Sequence, residues 1–125
     1  MRERLRAINY TAKDREFIET MMSLGQTRNV SNIVILLTKV GEASSSDVED
    51  LIDLRQSEVS IATKSLRDKG WVKTRIIKQD GKGRPTQMYK LRFSLRRIAK
   101  DVEAEKNAEM EEVKKKIAHL KRLAK

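Results

Sequence analysis

The chain has 125 residues, and its 28 lysines and arginines outnumber its 18 aspartates and glutamates by ten. The length suits one domain with its own hydrophobic core, and the absence of cysteine excludes disulfides, thiolate metal sites and cysteine nucleophiles. Because no apolar run approaches the roughly 20 residues of a membrane span and the first residues lack the apolar stretch of a secretory signal, the sequence predicts a cytoplasmic protein without a membrane partner.

Basic residues and a capping signal open the chain. Residues 1–10 carry three arginines and are predicted to form a basic N-terminal arm. Thr11 and Asp14 have the spacing of a capping box, which predicts that a helix begins there. Its apolar stripe predicts that it ends near Gly25.

A second and a third helix follow. The second is predicted to begin at Asn29 or Ser31 and to end at Gly41, and it is apolar on nearly all sides, which indicates the most buried helix. Ser46 and Glu49 have the capping-box spacing for a short third helix.

The third helix is expected to end near Leu54, where a turn leads into a fourth helix over residues 56–69. The apolar stripe of the fourth helix comprises Val59, Ala62 and Leu66. Gly70 stands where a left-handed residue commonly ends a helix.

The next segment has the pattern of a β-hairpin. Strands are predicted from Trp71 to about Lys78 and from Thr86 to about Phe93. The stretch 79–85, which is rich in turn residues and holds the only proline, joins them.

Residues 94–125 contain neither glycine nor proline and predict one long helix. Its last two heptads have an apolar seam with alternating spacings of three and four residues, formed by Met110, Val113, Ile117, Leu120 and Ala124. We expect the early stripe of Leu95, Ile98 and Val102 to pack on the chain's own domain and the later seam to pair two copies of the chain. The alternative is that the helix packs on its own domain without pairing.

The order of these elements is that of a winged helix-turn-helix, in which the helix after the turn enters the DNA major groove and the hairpin forms the wing. The predicted fold class is therefore mainly α with a small β-hairpin (α+β), with a long C-terminal helix. The predicted divisions are an arm over 1–10, a DNA-binding domain over 11–93 and a dimerisation helix over 94–125.

A short pattern in the fourth helix and the first strand resembles a known group of proteins. A Ser-x-Val-Ser core is followed by Leu-x-x-x-Gly, an apolar residue and Val; these positions are Ser57, Val59, Ser60, Leu66, Gly70, Trp71 and Val72. The pattern resembles bacterial and archaeal winged-helix regulators of the MarR and ArsR type, which implies a role in transcription regulation. The sequence departs from metal-sensing ArsR-like proteins, because it has no cysteine or histidine cluster and has Ala62 where such proteins often carry histidine.

The positive charge is concentrated in the middle of the chain. Residues 1–54 hold 7 basic and 9 acidic side chains, residues 55–97 hold 13 and 3, and residues 98–125 hold 8 and 6. The middle segment alone therefore carries a net charge of +10. A surface that contacts phosphates concentrates its charge in this way, so we predict double-stranded DNA as the partner.

Opposite its apolar stripe, the predicted recognition helix of about residues 56–69 presents polar and basic side chains. We predict DNA contacts from Arg55, Gln56, Ser57, Ser60, Ile61, Lys64 and Arg67. Glutamine can pair with adenine, lysine can reach guanine, and an isoleucine can contact a thymine methyl group. The alternative is that these residues form an ordinary solvated helix face.

The wing, about residues 71–93, supplies a second set of predicted contacts. In its tip, Gly83 allows close approach and Arg84 can insert into a narrow minor groove. The predicted wing contacts are Lys73, Arg75, Lys78, Lys82, Gly83 and Arg84. Ser45 and Ser46 at the start of the third helix are predicted to bind a phosphate, with a plain structural cap as the alternative.

Together these features predict a sequence-specific, homodimeric repressor associated with the nucleoid. An architectural, chromatin-like protein that binds duplex DNA with little sequence preference is the alternative, and a module that binds an acidic protein or RNA is a third. No enzyme activity, cofactor or metal is expected, because the sequence has no glycine-rich phosphate loop and no cluster of metal-ligating residues. Nothing in the sequence identifies a small-molecule effector.

Overall fold

Helices dominate the structure and a small antiparallel sheet completes it. The structure, a computed structural model, describes residues 8–78 and 85–125. The elements in chain order are α1 (Ala12–Ser23), α2 (Arg28–Val40), β1 (Glu42–Ser44), α3 (Ser45–Ile52), α4 (Gln56–Asp68), β2 (Val72–Ile77), β3 (Thr86–Leu91) and α5 (Leu95–Leu123). The prediction of a mainly α protein with a small hairpin and a long C-terminal helix is confirmed.

The sheet has one strand more than the sequence predicts. Its order is β1-β3-β2, so the predicted hairpin strands pair with each other and β3 also pairs with β1. In this register Ala43 lies opposite Tyr89, which in turn lies opposite Thr74. With only three residues, β1 is too short to show an alternating pattern, and only its pairing with β3 identifies it as a strand.

The first two helices begin with threonine caps. The predicted capping box of Thr11 and Asp14 is confirmed, with both of its hydrogen bonds present. The second helix begins earlier than predicted, because the Thr27 hydroxyl accepts a hydrogen bond from the Val30 N–H at 3.2 Å. The predicted start at Asn29 or Ser31 is therefore wrong, and both residues lie inside α2.

The cap of α3 also differs from the prediction. The Ser44 hydroxyl accepts from the Asp47 N–H at 3.1 Å, and the Asp47 carboxylate accepts from the Ser44 N–H at 3.0 Å. The predicted box of Ser46 and Glu49 is thus wrong. The physical reason is that Ser44 pairs with Met88 in the sheet, so the chain turns from extended to helical at that point.

The hydrophobic core lies around α2. This helix contributes more buried apolar residues than any other element described here, as its all-round apolar sequence predicts; they are Val30, Ile33, Val34, Ile35, Leu36 and Leu37. Helix α4, the sheet and the residue before β2 contribute Val59, Leu66, Trp71, Met88 and Tyr89. The buried stripe of α4 determines which of its faces points outward.

Helix α4 ends as predicted. Gly70 has φ = 73°, in the left-handed region that favours glycine. The Trp71 N–H donates to the Leu66 carbonyl at 3.1 Å, and the Gly70 N–H donates to the Arg67 carbonyl at 2.9 Å. These two bonds form a Schellman motif, which turns the chain directly into β2.

The chain divides into two compact units between Arg92 and Phe93, and α5 makes up most of the second. The Ser94 hydroxyl caps this helix by accepting from the Arg97 N–H at 3.2 Å. Ile98 and Val102 are buried, whereas the large residues of the later seam are 47–64% exposed: Met110, Val113, Ile117 and Leu120. In residues 8–78 and 85–125, no helix is long and apolar enough to cross a membrane.

Candidate nucleic-acid interface

A tight turn connects α3 to α4. Helix α3 ends at Ile52, two residues before the predicted end near Leu54, and Asp53 follows it in the left-handed conformation at φ = 52°. The Arg55 N–H donates to a Glu58 carboxylate oxygen at 3.0 Å, so Glu58 caps the first turn of α4. The Arg55 side chain takes no part in this cap and is exposed.

The outward face of α4 is exposed to solvent, and so is Arg55 at its N-cap. Val59, Ala62 and Leu66 are at most 3% exposed and hold the helix on the core. The predicted contact residues are all exposed: Arg55, Gln56, Ser57, Ser60, Ile61, Lys64 and Arg67. Ile61 is 72% exposed, which is a large apolar area on an otherwise polar surface.

One cation of this face is paired within the helix. The Lys64 ammonium group lies 2.9 Å from an Asp68 carboxylate oxygen, and the two side chains are 70% and 65% exposed. Pairs with this exposure contribute little to stability, so Lys64 can exchange Asp68 for another anion at small cost.

A second cationic surface lies on one face of the sheet. Lys73 and Lys90 are directly opposite each other in the β2–β3 register, and Arg75 lies two residues along the same face. These side chains, with Glu42 and Thr74, line a shallow cavity of about 310 Å³. Sequence reasoning missed Lys90, because only the strand register brings it beside Lys73.

Glu42 compensates one of these charges. Both of its carboxylate oxygens accept hydrogen bonds from Arg75, from Nε and Nη2, each at 2.6 Å. This bidentate pair lowers the pKa of Glu42 below its usual range and raises the pKa of Arg75. Arg75 is therefore on the predicted surface, but a carboxylate 33 residues away in sequence holds its guanidinium group.

The start of α3 is the third predicted contact region. Ser45 is half-buried and Ser46 is exposed, and they occupy the first two positions of the helix. Asp47 puts a carboxylate at the same helix end, where it already bonds the Ser44 N–H. This arrangement is complete as a structural cap, and its negative charge opposes a second anion.

The wing tip and part of the arm lie outside the described residues. Lys78 is exposed at the end of β2, but Lys82, Gly83 and Arg84 are not among the residues described, and neither are residues 1–7. Among those that are, no group of three or more histidine, aspartate or glutamate side chains is close enough to hold a metal ion.

Two archaeal structures have the same fold. The chain is similar to a possible transcriptional regulator from Methanosarcina mazei Go1, with 17% identity, a TM-score of 0.64 and coverage of 91% of this chain and 97% of that one. It is also similar to a transcriptional regulator homologue protein from Pyrococcus horikoshii OT3, with 21% identity, a TM-score of 0.51 and coverage of 81% and 97%. No protein-family model matches the chain, and no curated protein sequence matches it. At these identities the similarity establishes a shared fold.

Proposed function

We propose that this chain is a sequence-specific, double-stranded DNA-binding regulator of transcription, and that it acts as a homodimeric repressor in the broad winged-helix group that includes the MarR and ArsR types. The observation that carries the proposal is the outward face of α4. A helix held on the core by three buried apolar residues presents hydroxyl, amide, ammonium and guanidinium groups to solvent. Both structural neighbours bear names of transcriptional regulators, which agrees with this role.

In this proposal α4 reads base edges in the major groove. Gln56 and Lys64 have the donors and acceptors to pair with adenine and guanine edges, and the Ser57 and Ser60 hydroxyls suit several bases. The side chain of Ile61 is 72% exposed and is therefore available for an apolar contact with a thymine methyl group.

The hairpin of β2 and β3 contributes phosphate contacts in the same proposal. Lys73 and Lys90 form a cationic pair on one face of the sheet, and Lys78 is a further exposed cation directly after β2. Arg75 is the weaker candidate, because Glu42 already neutralises it. The helix start at Ser45 and Ser46 is likewise a weaker phosphate site than the sheet, because Asp47 stands beside it.

Two copies joined by α5 would present two recognition helices. The exposed seam of α5 supports this pairing, because four large apolar residues are about half exposed or more in the single chain. A two-fold dimer reads a palindromic site, which accounts for specificity beyond the few base pairs that one helix contacts. A repressor of this kind would reside with the nucleoid.

Selection of binding sites from a random duplex library at about 150 mM salt tests the proposal, because this salt concentration suppresses much of the non-specific binding. Enrichment of a palindrome supports a dimeric, sequence-specific regulator. Retention of DNA without enrichment of a sequence would replace the proposal with the architectural alternative. The net charge of +10 over residues 55–97 also supports DNA binding without sequence preference. Loss of duplex binding would favour an acidic protein or RNA as partner.

Single substitutions then separate base reading from phosphate binding. Ser60→Ala or Lys64→Ala should lower the ratio of specific to non-specific affinity, whereas Lys73→Ala should weaken all sites alike. With about 6 to 10 phosphate contacts per dimer, the slope of log affinity against log salt should be roughly −5 to −9. A slope near zero would contradict the electrostatic basis of the proposal.

A further inference from the structure

The exposed part of α5 carries opposite charges in its two halves. Residues 103–112 hold five glutamates and one lysine, a net charge of −4, whereas residues 114–125 hold six lysines and arginines and no acidic residue, a net charge of +6. The exposed seam runs through both halves, since Met110 lies in the first and Leu120 in the second. The charges therefore bear on the direction in which a partner helix can lie.

We propose that α5 pairs with α5 of a second copy in the antiparallel orientation. This inference rests on the homodimer of the proposed function and specifies its geometry. In a parallel pair, like-charged halves would lie side by side, and both the acidic and the basic halves would repel each other. In an antiparallel pair each acidic half lies along the basic half of the partner, and the helix dipoles also oppose each other favourably.

The seam has matching layers in this orientation. When the two helices are centred on residue 115, Met110 packs against the partner's Leu120, and Val113 packs against the partner's Ile117. Each layer then combines one residue from each of the two heptad positions that form the seam. All four large side chains of the seam are covered in this register, and none faces a charged side chain across it.

In this register, glutamates of one copy lie at the same position along the helix pair as cations of the other copy. Glu109 lies at the height of the partner's Lys121, and its side chain is 62% exposed although its carboxylate bonds Lys106 within the helix. The last cations of the basic half are Lys116, Lys121, Arg122 and Lys125. In a parallel pair these four would lie beside the same four residues of the partner.

The centre of the antiparallel pair brings two sets of lysines, residues 114–116 of each copy, to the same height. Two members of each set are already bonded within α5. Lys114 lies 3.4 Å from a Glu111 oxygen and Lys115 lies 3.5 Å from a Glu112 oxygen. The same lysines would also lie level with each other in a parallel pair, so the repulsion at the centre does not distinguish the two orientations and the charges of the two halves decide between them.

The orientation determines how far apart the two helix starts lie. At a rise of 1.5 Å per residue, the two Leu95 residues of an antiparallel pair centred on residue 115 are about 60 Å apart. In a parallel pair they would be about 10 Å apart, the distance between packed helix axes. The antiparallel dimer therefore favours separated half-sites, or two segments of duplex, over two closely adjacent contacts.

Disulfide cross-linking tests the orientation cleanly, because the full chain has no cysteine of its own. Met110→Cys and Leu120→Cys are prepared as two proteins that differ in size by a tag, then oxidised separately and as a mixture. The antiparallel pair predicts a disulfide between the two different variants and little between identical ones. Glu111→Cys, outside the seam, is the matched control for collisional cross-linking.

Each other outcome overturns part of the inference. Disulfides between identical variants would establish a parallel pair, which refutes the orientation and leaves the homodimer intact. A dimer in sedimentation analysis without any of these disulfides would refute the seam itself. A monomer at every concentration would refute both the orientation and the proposed homodimer, while site selection tests DNA binding independently.

The salt dependence of dimerisation supplies a second readout that needs no substitution. Raising salt from about 50 to 500 mM screens charges over short distances. An antiparallel dimer should then dissociate more readily, because the screened interactions are attractive. A parallel dimer should become tighter, and that result would overturn the proposal.

Discussion

Removal of the Glu42 carboxylate should strengthen DNA binding by the sheet surface. In the native chain, Lys73, Arg75 and Lys90 contribute three positive charges to this face and Glu42 subtracts one. Glu42→Gln raises the local charge from +2 to +3 and releases the Arg75 guanidinium from a bidentate bond. Arg75 then becomes available for a phosphate, and a nearby negative charge that repels the DNA backbone is lost.

The change in DNA affinity and in its salt dependence follows from the number of phosphates contacted. One further phosphate contact per chain steepens the slope of log affinity against log salt by about 0.9, or about 2 for a dimer. Removal of a carboxylate at about 8 Å from a phosphate in water should also raise the affinity of a dimer by about fivefold at low salt. Stability should change little, because the Arg75 side chain is 60% exposed and exposed pairs contribute little.

Fluorescence anisotropy with a labelled duplex at several salt concentrations measures both quantities. Glu19→Gln is the matched control, because it removes the same charge from an exposed position of α1, outside the sheet. The control should change neither the slope nor the affinity appreciably. Equal effects of the two substitutions would show that only net charge matters, and no effect of Glu42→Gln would refute the assignment of this face to DNA.

Three further predictions concern the folded domain. Ser44→Ala should lower the free energy of unfolding in urea by about 1 kcal/mol, because it removes the observed cap of α3. Ser46→Ala should change the same quantity by less than about 0.5 kcal/mol. A larger loss for Ser46→Ala than for Ser44→Ala would contradict the cap assignment. Gly70→Ala should lower the free energy of unfolding by about 1 kcal/mol in the same assay. The cause is backbone strain alone, since φ is 73° and an added Cβ meets nothing within 4 Å. An unchanged unfolding midpoint would contradict this strain. Hydrogen bonds from Lys39 and from the Thr11 backbone hold the pKa of Asp14 below its usual 3.8. The stabilisation by this carboxylate is therefore full above pH 3.8 and is lost as the pH falls through the lowered pKa of the folded state. Asp14→Asn should accordingly destabilise the protein at about pH 7 and progressively less below pH 3.8. If the difference in free energy of unfolding between the two proteins did not change with pH, a charge effect would be excluded.

Local signals in the sequence were sufficient for most of the helices. The capping box at Thr11, the stripe of α4 and the left-handed residue at Gly70 all involve residues three to five positions apart. Interactions over such short separations depend on helix geometry alone, which is the same in every fold. For the same reason, the outward face of α4 was predictable residue by residue, although its role in DNA binding is a proposal.

Pairings between distant segments were not accessible from the sequence. Two serine boxes compete at the start of α3, and the pairing of Ser44 with β3 selects the first of them. The bond between Glu42 and Arg75 spans 33 residues, and the row of Lys73 and Lys90 exists only in one strand register. That register depends on which strand residues are buried against the rest of the domain and on the geometry of the connecting turn. Local patterns were therefore enough for most of the helices and for the outward face of α4, whereas contacts between distant segments settle which charges of the sheet reinforce or neutralise each other.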